Sequence, residues 1–361
     1  MGVDDLLARA DRLVEEDDVE GAAALYAEAA QQGTPGAATR HGEMLFHLGR
    51  DDVAESVLRA ALAKGEPDAL DWLSDLLVET GRGAEAALLQ EQADRALRAA
   101  TIWADAAGDR GRAEAWYRKA VERGEPGALN DFGSFLSEDD SRREEAEALL
   151  RQAAEQGDAL AFSNLGGMAL DHGDPEAAAA WLRQGLELAD QTGSTALLKL
   201  AVAEERTGNT EAARALYDRA VADGVTDAHV TRARFLADQG EPAEADFLAG
   251  LEKGEEGAHY YFGEFLAANG RVDEAVGHLY QAVEDGSTAA HEELALIYQS
   301  RGAVKAAEDH FKESIAAGWL SAIWAYAELL RQEGRGGEVA ALVPEAQRLG
   351  ATAEQVEELT R

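Results

Sequence analysis

Small and large apolar residues return along this chain at helical spacing, with polar residues between them. Examples are Leu73, Leu76 and Leu77, or Phe132, Phe135 and Leu136. Each such set ends at a glycine-centred break, as in Leu48-Gly49-Arg50 or Asn269-Gly270-Arg271, where glycine supplies the left-handed conformation that closes a helix. A second apolar set follows and stops at another glycine: Gly33, Gly65, Gly124, Gly157, Gly224, Gly286, Gly318 or Gly350. The pattern predicts helix–turn–helix units throughout and no strands. In Thr34-Pro35, Glu66-Pro67 and Glu125-Pro126 a proline follows the stop, where a new helix begins.

The units repeat one another. A small residue opens the second helix at Ala22, Ala54, Ala86, Ala113, Ala146, Ala178, Ala213, Ala243, Ala275 and Ala307, with Val339 last. Six of the ten intervals are 32 residues and the others are 27, 33, 35 and 30, a regularity that an alanine-rich composition alone does not produce. Four positions on comes a larger residue: Tyr26, Leu58, Tyr117, Leu150, Leu182, Tyr217, Phe247, Leu279, Phe311 and Val343, with Gln90 the exception. Alanine in the second helix, and glycine or alanine in the first, let the two backbones approach and interlock.

In one unit the series runs Gly263, Leu266, Ala275, Leu279 and Ala282: a small residue, a large one three on, Ala twelve after the first, a bulky residue four later and Ala three later. This series resembles the tetratricopeptide repeat. The link Ala153-Ala154-Glu155-Gln156-Gly157-Asp158-Ala159, leading to Asn164-Leu165-Gly166, is similar to the related Sel1-like repeat. The chain departs from both: its unit is two residues shorter than the usual tetratricopeptide length, the tryptophan at the fourth position is missing, and the Sel1-like insertion between helices is absent. The resemblance implies an all-α, right-handed α-solenoid of about eleven helix–turn–helix repeats and a short final helix from Thr352 to Thr360, forming one array over residues 1–361. Two places break phase. Five residues are missing around 93–107, so the helices there must connect tightly or fuse; near 185–194 a second helix runs long, to Thr192-Gly193. Each would bend the array or mark a functional seam, harmless drift between repeats being the alternative. Arg9 and Arg12 stand in the first unit where internal units carry Leu, Phe or Met, as expected of an end that faces water.

Charge narrows the partners. The chain carries 70 Asp and Glu against 33 Lys and Arg, a net charge of −37. Nucleic acid and anionic membrane surfaces call for the opposite sign, so neither is expected, and basic or amphipathic protein segments are. A solvated acidic surface is the plainer alternative. With no cysteine there is neither a disulfide framework nor a thiolate metal site. No signal-like or membrane-spanning stretch is present, which points to the cytoplasm.

Catalytic and cofactor motifs are missing: no phosphate-cradling glycine loop, no nucleophile elbow, no dinucleotide fingerprint. His291-Glu292-Glu293 opens like a zinc-protease motif but lacks the second histidine, so it is read as an exposed helix face. His41 and His47, six apart, lie too far round a helix to share a metal, one packed near the core and one exposed. The acidic runs Glu15–Asp18 and Glu138–Asp140 fall at turns and lack a calcium loop's ligand pattern. Neither metal nor cofactor is expected, and no enzymatic activity.

The resemblance implies that first helices line a concave groove that holds extended or helical peptides. Carried over, its groove positions give an acidic stripe of Asp68, Asp71 and Asp75, with Val78 and Glu79; then Arg95 and Arg98, with Ile102 and Asp105; then Tyr260 and Glu264, with Gly257; and lastly Trp324 and Glu328, with Ser321 and Arg331. Aromatic residues beside carboxylates suit a segment that offers Arg or Lys and an apolar anchor; packing against neighbouring helices is the competing role for the same residues. A lysine clamp for an acidic C-terminus is not expected, since none of the six lysines falls at a groove position. The expected function is a non-catalytic protein-interaction scaffold. The alternative is a regulatory sensor whose superhelix responds to a small peptide or protein ligand.

Overall fold

The computed structural model describes residues 3–188 and 195–361, and divides into two compact units, Met1–Met168 and Ala169–Arg361. Every regular element among the described residues is helical. The first unit holds α1 (Val3–Glu15), α2 (Val19–Gln31), α3 (Ala37–His47), α4 (Asp51–Ala63), α5 (Ala69–Glu79), α6 (Gly83–Gln92), α7 (Ala96–Asp105), α8 (Arg110–Glu122), α9 (Ala128–Ser137) and α10 (Arg143–Glu155). The boundary falls inside α11 (Ala159–Asp171). The second unit continues with α12 (Pro175–Leu188), α13 (Ala196–Arg206), α14 (Thr210–Ala222), α15 (Ala228–Asp238), α16 (Glu244–Lys253), α17 (Ala258–Ala268), α18 (Val272–Glu284), α19 (Ala290–Ser300), α20 (Val304–Ala316), α21 (Ser321–Gln332), α22 (Val343–Arg348) and α23 (Ala353–Thr360). In each unit consecutive helices pack as antiparallel hairpins, and first helices of successive hairpins also touch: α3 with α5 and α7 with α9, then α15 with α17 and α19 with α21. This is an α-solenoid arrangement.

The repeat residues do what the pattern requires. Ala22, Ala54, Ala86, Ala113, Ala146, Ala178, Ala213, Ala275 and Ala307 are fully buried, and the large residues four positions on fill the space between helices. Contact is close because the facing residue has no side chain: a Cβ on Gly42 would lie 2.5 Å from Cγ of Leu58, and one on Gly263 2.8 Å from Cγ of Leu279. At the 93–107 phase break the helices connect without fusing. Ala93–Arg95 joins α6 to α7 with Asp94 at φ 61°, a left-handed turn that a short polar side chain tolerates. Residues 189–194, which hold the Thr192-Gly193 end expected of the long sixth unit, lie outside the described residues.

Two expectations are corrected. Pro35, Pro67 and Pro126 sit in a turn two residues ahead of α3, α5 and α9, not at the first helical position. The carbonyl of Pro67, for example, accepts from the Leu70 N–H at 3.1 Å as that turn feeds the helix. In the last hairpin the second helix is broken: a 3₁₀ stretch over Gly336–Leu342 precedes α22, because Pro344 has no N–H to continue an α-helical ladder.

Successive hairpins are joined by two recurring polar devices. A glutamate in the turn before one first helix reaches back to cap the first helix of the preceding hairpin. Glu66 takes the Thr39 N–H at 2.9 Å, Glu125 the Leu97 N–H at 2.9 Å, and Glu255 the Val230 N–H at 2.8 Å. These helices have no side-chain cap of their own, so the carboxylate satisfies N–H groups left open at the positive end of the helix dipole. On the other side, an arginine at the start of a second helix spans to a glutamate of the preceding second helix. Arg82 meets Glu55 at 2.7 Å, Arg142 meets Glu114 at 3.0 Å and Arg271 meets Glu244 at 2.6 Å.

Candidate functional site

First helices place the candidate residues. In the first unit Asp71 and Asp75 point from α5 toward Arg95 and Arg98 at the start of α7. Arg95 sits 2.6 Å from both carboxylate oxygens of Asp71, and Arg98 pairs with Asp75. The expected acidic stripe and the two arginines therefore form one set of ion pairs, neutral overall, with the exposed Asp68 beside it. Asp71 also accepts at 3.3 Å from the buried Gln90 amide. Arg95 and Arg98 line a cleft of about 570 Å³ with Leu97, Thr101 and Asp131. Ile102 is no part of that wall: it is buried in the core, because the five-residue deletion turns α7 relative to the register used to place it.

The second unit differs. Tyr260 and Glu264 lie one turn apart on α17, and the tyrosine hydroxyl donates to the carboxylate at 3.0 Å. Tyr261 beside them receives the Arg234 guanidinium on its ring face, 4.1 Å from the centroid. Two clefts meet at Arg234 and Tyr261, one of about 800 Å³ that includes Tyr260 and Gly257, the other of about 620 Å³ that includes Glu264 and Phe265. Burial raises the Glu264 carboxyl above its ordinary range, with the Tyr260 hydrogen bond and Arg234 pulling the other way. Glu293, on α19, is raised by burial and then by repulsion from Glu264 and Glu292. Neither carboxylate has an ion-pair partner among the described residues. Burial and the neighbouring Glu264 also raise the Tyr260 phenol.

Farther along, Trp324 is half-buried and packs on the terminal apolar cluster, while Glu328 is exposed and accepts from Gln332 at 3.2 Å. Ser321 donates to Glu292 at 2.7 Å. Arg331 donates to the Leu359 carbonyl at the end of α23, so the final helix occupies that groove position.

Sequence reasoning missed Glu293 and Arg234. It also read His291-Glu292-Glu293 as a plain exposed face, which is wrong: His291 and Glu293 are half-buried, and His291 contacts His310. Lone glutamates and arginines give no signal of burial; only the register of three neighbouring first helices reveals it. Among the described residues no group of three or more His, Asp or Glu side chains is placed to hold a metal ion, and no helix is long and apolar enough to cross a membrane.

Residues 7–69, 138–194 and 187–229 match the sequence profile of the tetratricopeptide repeat family. Over those residues the chain is similar to tetratricopeptide repeats, in keeping with the helical hairpins described above. A search of curated proteins gives this repeat protein no significant match. Among solved structures, the human IFIT1 dimer with PPP-AAAA is 16% identical, covers 81% of this chain and 79% of its own, and superposes with a TM-score of 0.53. The c5321 protective antigen of uropathogenic Escherichia coli strains, which displays an SLR fold, is 20% identical over 99% of this chain and 91% of its own, with a TM-score of 0.46. Yeast Tom70 is 12% identical over 99% and 94%, with a TM-score of 0.44. At 16% identity the likeness to the IFIT1 structure is one of fold alone.

Proposed function

We propose that this repeat protein is a non-catalytic interaction scaffold whose first-helix face holds a basic or amphipathic segment of another protein. Tyr260 and Glu264 form the centre of the site, Glu293 beside them. The observation that carries the reading is the pair of half-buried carboxylates, Glu264 and Glu293, that repel each other and have no ion-pair partner among the described residues, Arg234 easing Glu264 alone. A Lys or Arg side chain laid between them would relieve that repulsion, with its stem on the Tyr260 ring. In the first unit, taken by itself, Asp68, Asp71 and Asp75 offer a weaker site, since Arg95 and Arg98 already neutralise two of them. Trp324 and Glu328 extend the same face toward the C-terminus. The human IFIT1 neighbour was solved with PPP-AAAA; here a net charge of −37 opposes a polyanion. A cytoplasmic place of action fits a chain without cysteine.

The test uses a fluorescein-labelled Lys/Leu amphipathic peptide, its Glu/Leu counterpart and a labelled RNA oligonucleotide, read by fluorescence anisotropy. The Lys/Leu peptide should bind, and Glu264→Gln with Glu293→Gln should weaken it about tenfold, near 1.4 kcal/mol. Glu354→Gln with Glu358→Gln removes the same charge from exposed positions on α23 and should change little. Equal losses in both double variants would reduce the effect to net charge and remove the site. Preferential binding of the RNA would overturn the partner class.

A further inference from the structure

Three consecutive hairpins of the second unit replace a hydrophobic pair by a titratable one. Three residues after the small residue that opens the second helix, other hairpins carry Leu25, Val57, Leu89, Trp116, Leu149, Trp181, Leu216 or Leu342. At this position α16, α18 and α20 carry Asp246, His278 and His310. Facing them, from the second residue of α15, α17 and α19, are His229, His259 and His291. His259 and His278 bring their Nδ1 atoms to 2.9 Å, and His291 and His310 bring theirs to 3.0 Å. The two pairs are 32 residues apart in both members, so the arrangement is repeated, not incidental. All four rings are half-buried. His229 meets Asp246 at 3.5 Å instead, and Arg232 already satisfies that carboxylate.

We propose that the two histidine pairs make α17–α20 a proton-sensing segment, in which acidification splits each pair and loosens the two hairpins. At 2.9–3.0 Å, Nδ1–H of one ring donates to the Nδ1 lone pair of the other, and a single proton fits between them. A first added proton lands on the outward Nε2 of the donor ring and leaves the contact intact. A second must land on the accepting Nδ1. Two N–H groups then point at each other and two imidazolium charges face across the hairpin.

The surroundings agree. His278 is held below its ordinary range by burial, then by His259, with Glu274 opposing and Arg271 assisting. His310 is held down by burial, then by His291, against Asp309 and Glu313. The Tyr280 hydroxyl lies 3.2 Å from His310 Nε2, and the Tyr298 ring stacks on His310 at 5.6 Å between centroids. A group whose folded pKa is depressed contributes stability above its unfolded pKa and loses it as pH falls. Unfolding therefore takes up about one extra proton per pair below pH ~6.5. The device stands whether or not the neighbouring groove holds a peptide.

The test compares the full chain with His278→Leu plus His310→Leu, which installs the residue type most common at this place in other hairpins. Urea unfolding is followed by circular dichroism from pH 7.5 to 5.5, in buffer with a chelator to exclude metal effects. The unfolding constant of the native chain, divided by that of the variant, should rise about fivefold per pair between pH 6.5 and 5.5. A flat ratio would overturn the proposal. Histidine ring NMR on the native chain gives an answer that needs no variant. Each pair should take up one proton in the ordinary histidine range and resist the second, whereas four independent titrations near 6.5 would refute the shared-proton geometry.

Discussion

Gln90→Leu should stabilise the first unit by roughly 1–3 kcal/mol, the balance of four effects at one buried site. Gln90 is fully buried on α6, where the other hairpins carry Leu, Tyr, Phe or Val. Its Nε2 donates to Ser74 Oγ at 2.9 Å and more weakly to Asp71 at 3.3 Å, while its Oε1 is buried with no partner. Removing that orphan carbonyl relieves about 1–3 kcal/mol, and a buried leucine side chain adds about 1.5–3 kcal/mol of transfer free energy. Against this stand two hydrogen bonds, each worth about 1 kcal/mol net, and a Ser74 hydroxyl left without its present donor. That hydroxyl need not stay orphaned, because a serine within a helix can turn to the carbonyl four residues back. The apolar gains win. Urea unfolding followed by far-UV circular dichroism should move to a higher midpoint with an unchanged slope. A loss of about 1 kcal/mol or more would refute this balance and make the amide a structural necessity of the third hairpin.

Two further outcomes follow from packing and charge. Gly42→Ala should destabilise by about 1–3 kcal/mol despite alanine's helix propensity, since its Cβ would sit 2.5 Å from Leu58 Cγ. Combining it with Leu58→Ala should cost at least about 1 kcal/mol less than the two singles added, and simple additivity would disprove direct interlock. Sodium chloride should raise the thermal midpoint, by roughly 2–4 °C for each kcal/mol of repulsion screened. The inter-hairpin pairs at 2.6–3.0 Å are no longer than the Debye length of about 3 Å at 1 M salt, whereas carboxylates farther apart are screened. A falling midpoint would show that the pairs outweigh the repulsion.

The helical hairpins were legible because their determinants are local. An alanine at the crossing of two helices must be small whatever surrounds it, so Ala22 through Ala307 announce themselves by spacing alone. The glutamate caps were not legible: Glu66 acts on Thr39, 27 residues upstream, and that pairing exists only once consecutive hairpins stack. The same holds for His259 and His278, 19 residues apart on different helices. Ile102 was misplaced for a related reason. A deletion between Ala86 and Ala113 shifts the phase of α7, so a position counted along the sequence no longer faces the groove. Glu264 was found because the repeat frame is regular there; its burial and the nearness of Glu293 were invisible without the neighbouring helices.

The deletion at the α6–α7 link also explains the neutral charge of the candidate residues in the first unit. By shortening the connection to Ala93–Arg95 it sets Arg95 at the mouth of α7 and Arg98 on its first turn, each against an aspartate of α5. Elsewhere arginines cluster at the starts of second helices, where Arg82, Arg142 and Arg271 tie one hairpin to the last. Cations placed there stabilise the array and cannot reach the first-helix face. At Glu264 and Glu293 the nearby arginine is Arg234 of α15, which lies on the Tyr261 ring and eases Glu264, while neither carboxylate has an ion-pair partner among the described residues. With 33 cations for 70 anions, and many of those cations tied between hairpins, the proposed basic partner would supply the charge that the second-unit face lacks.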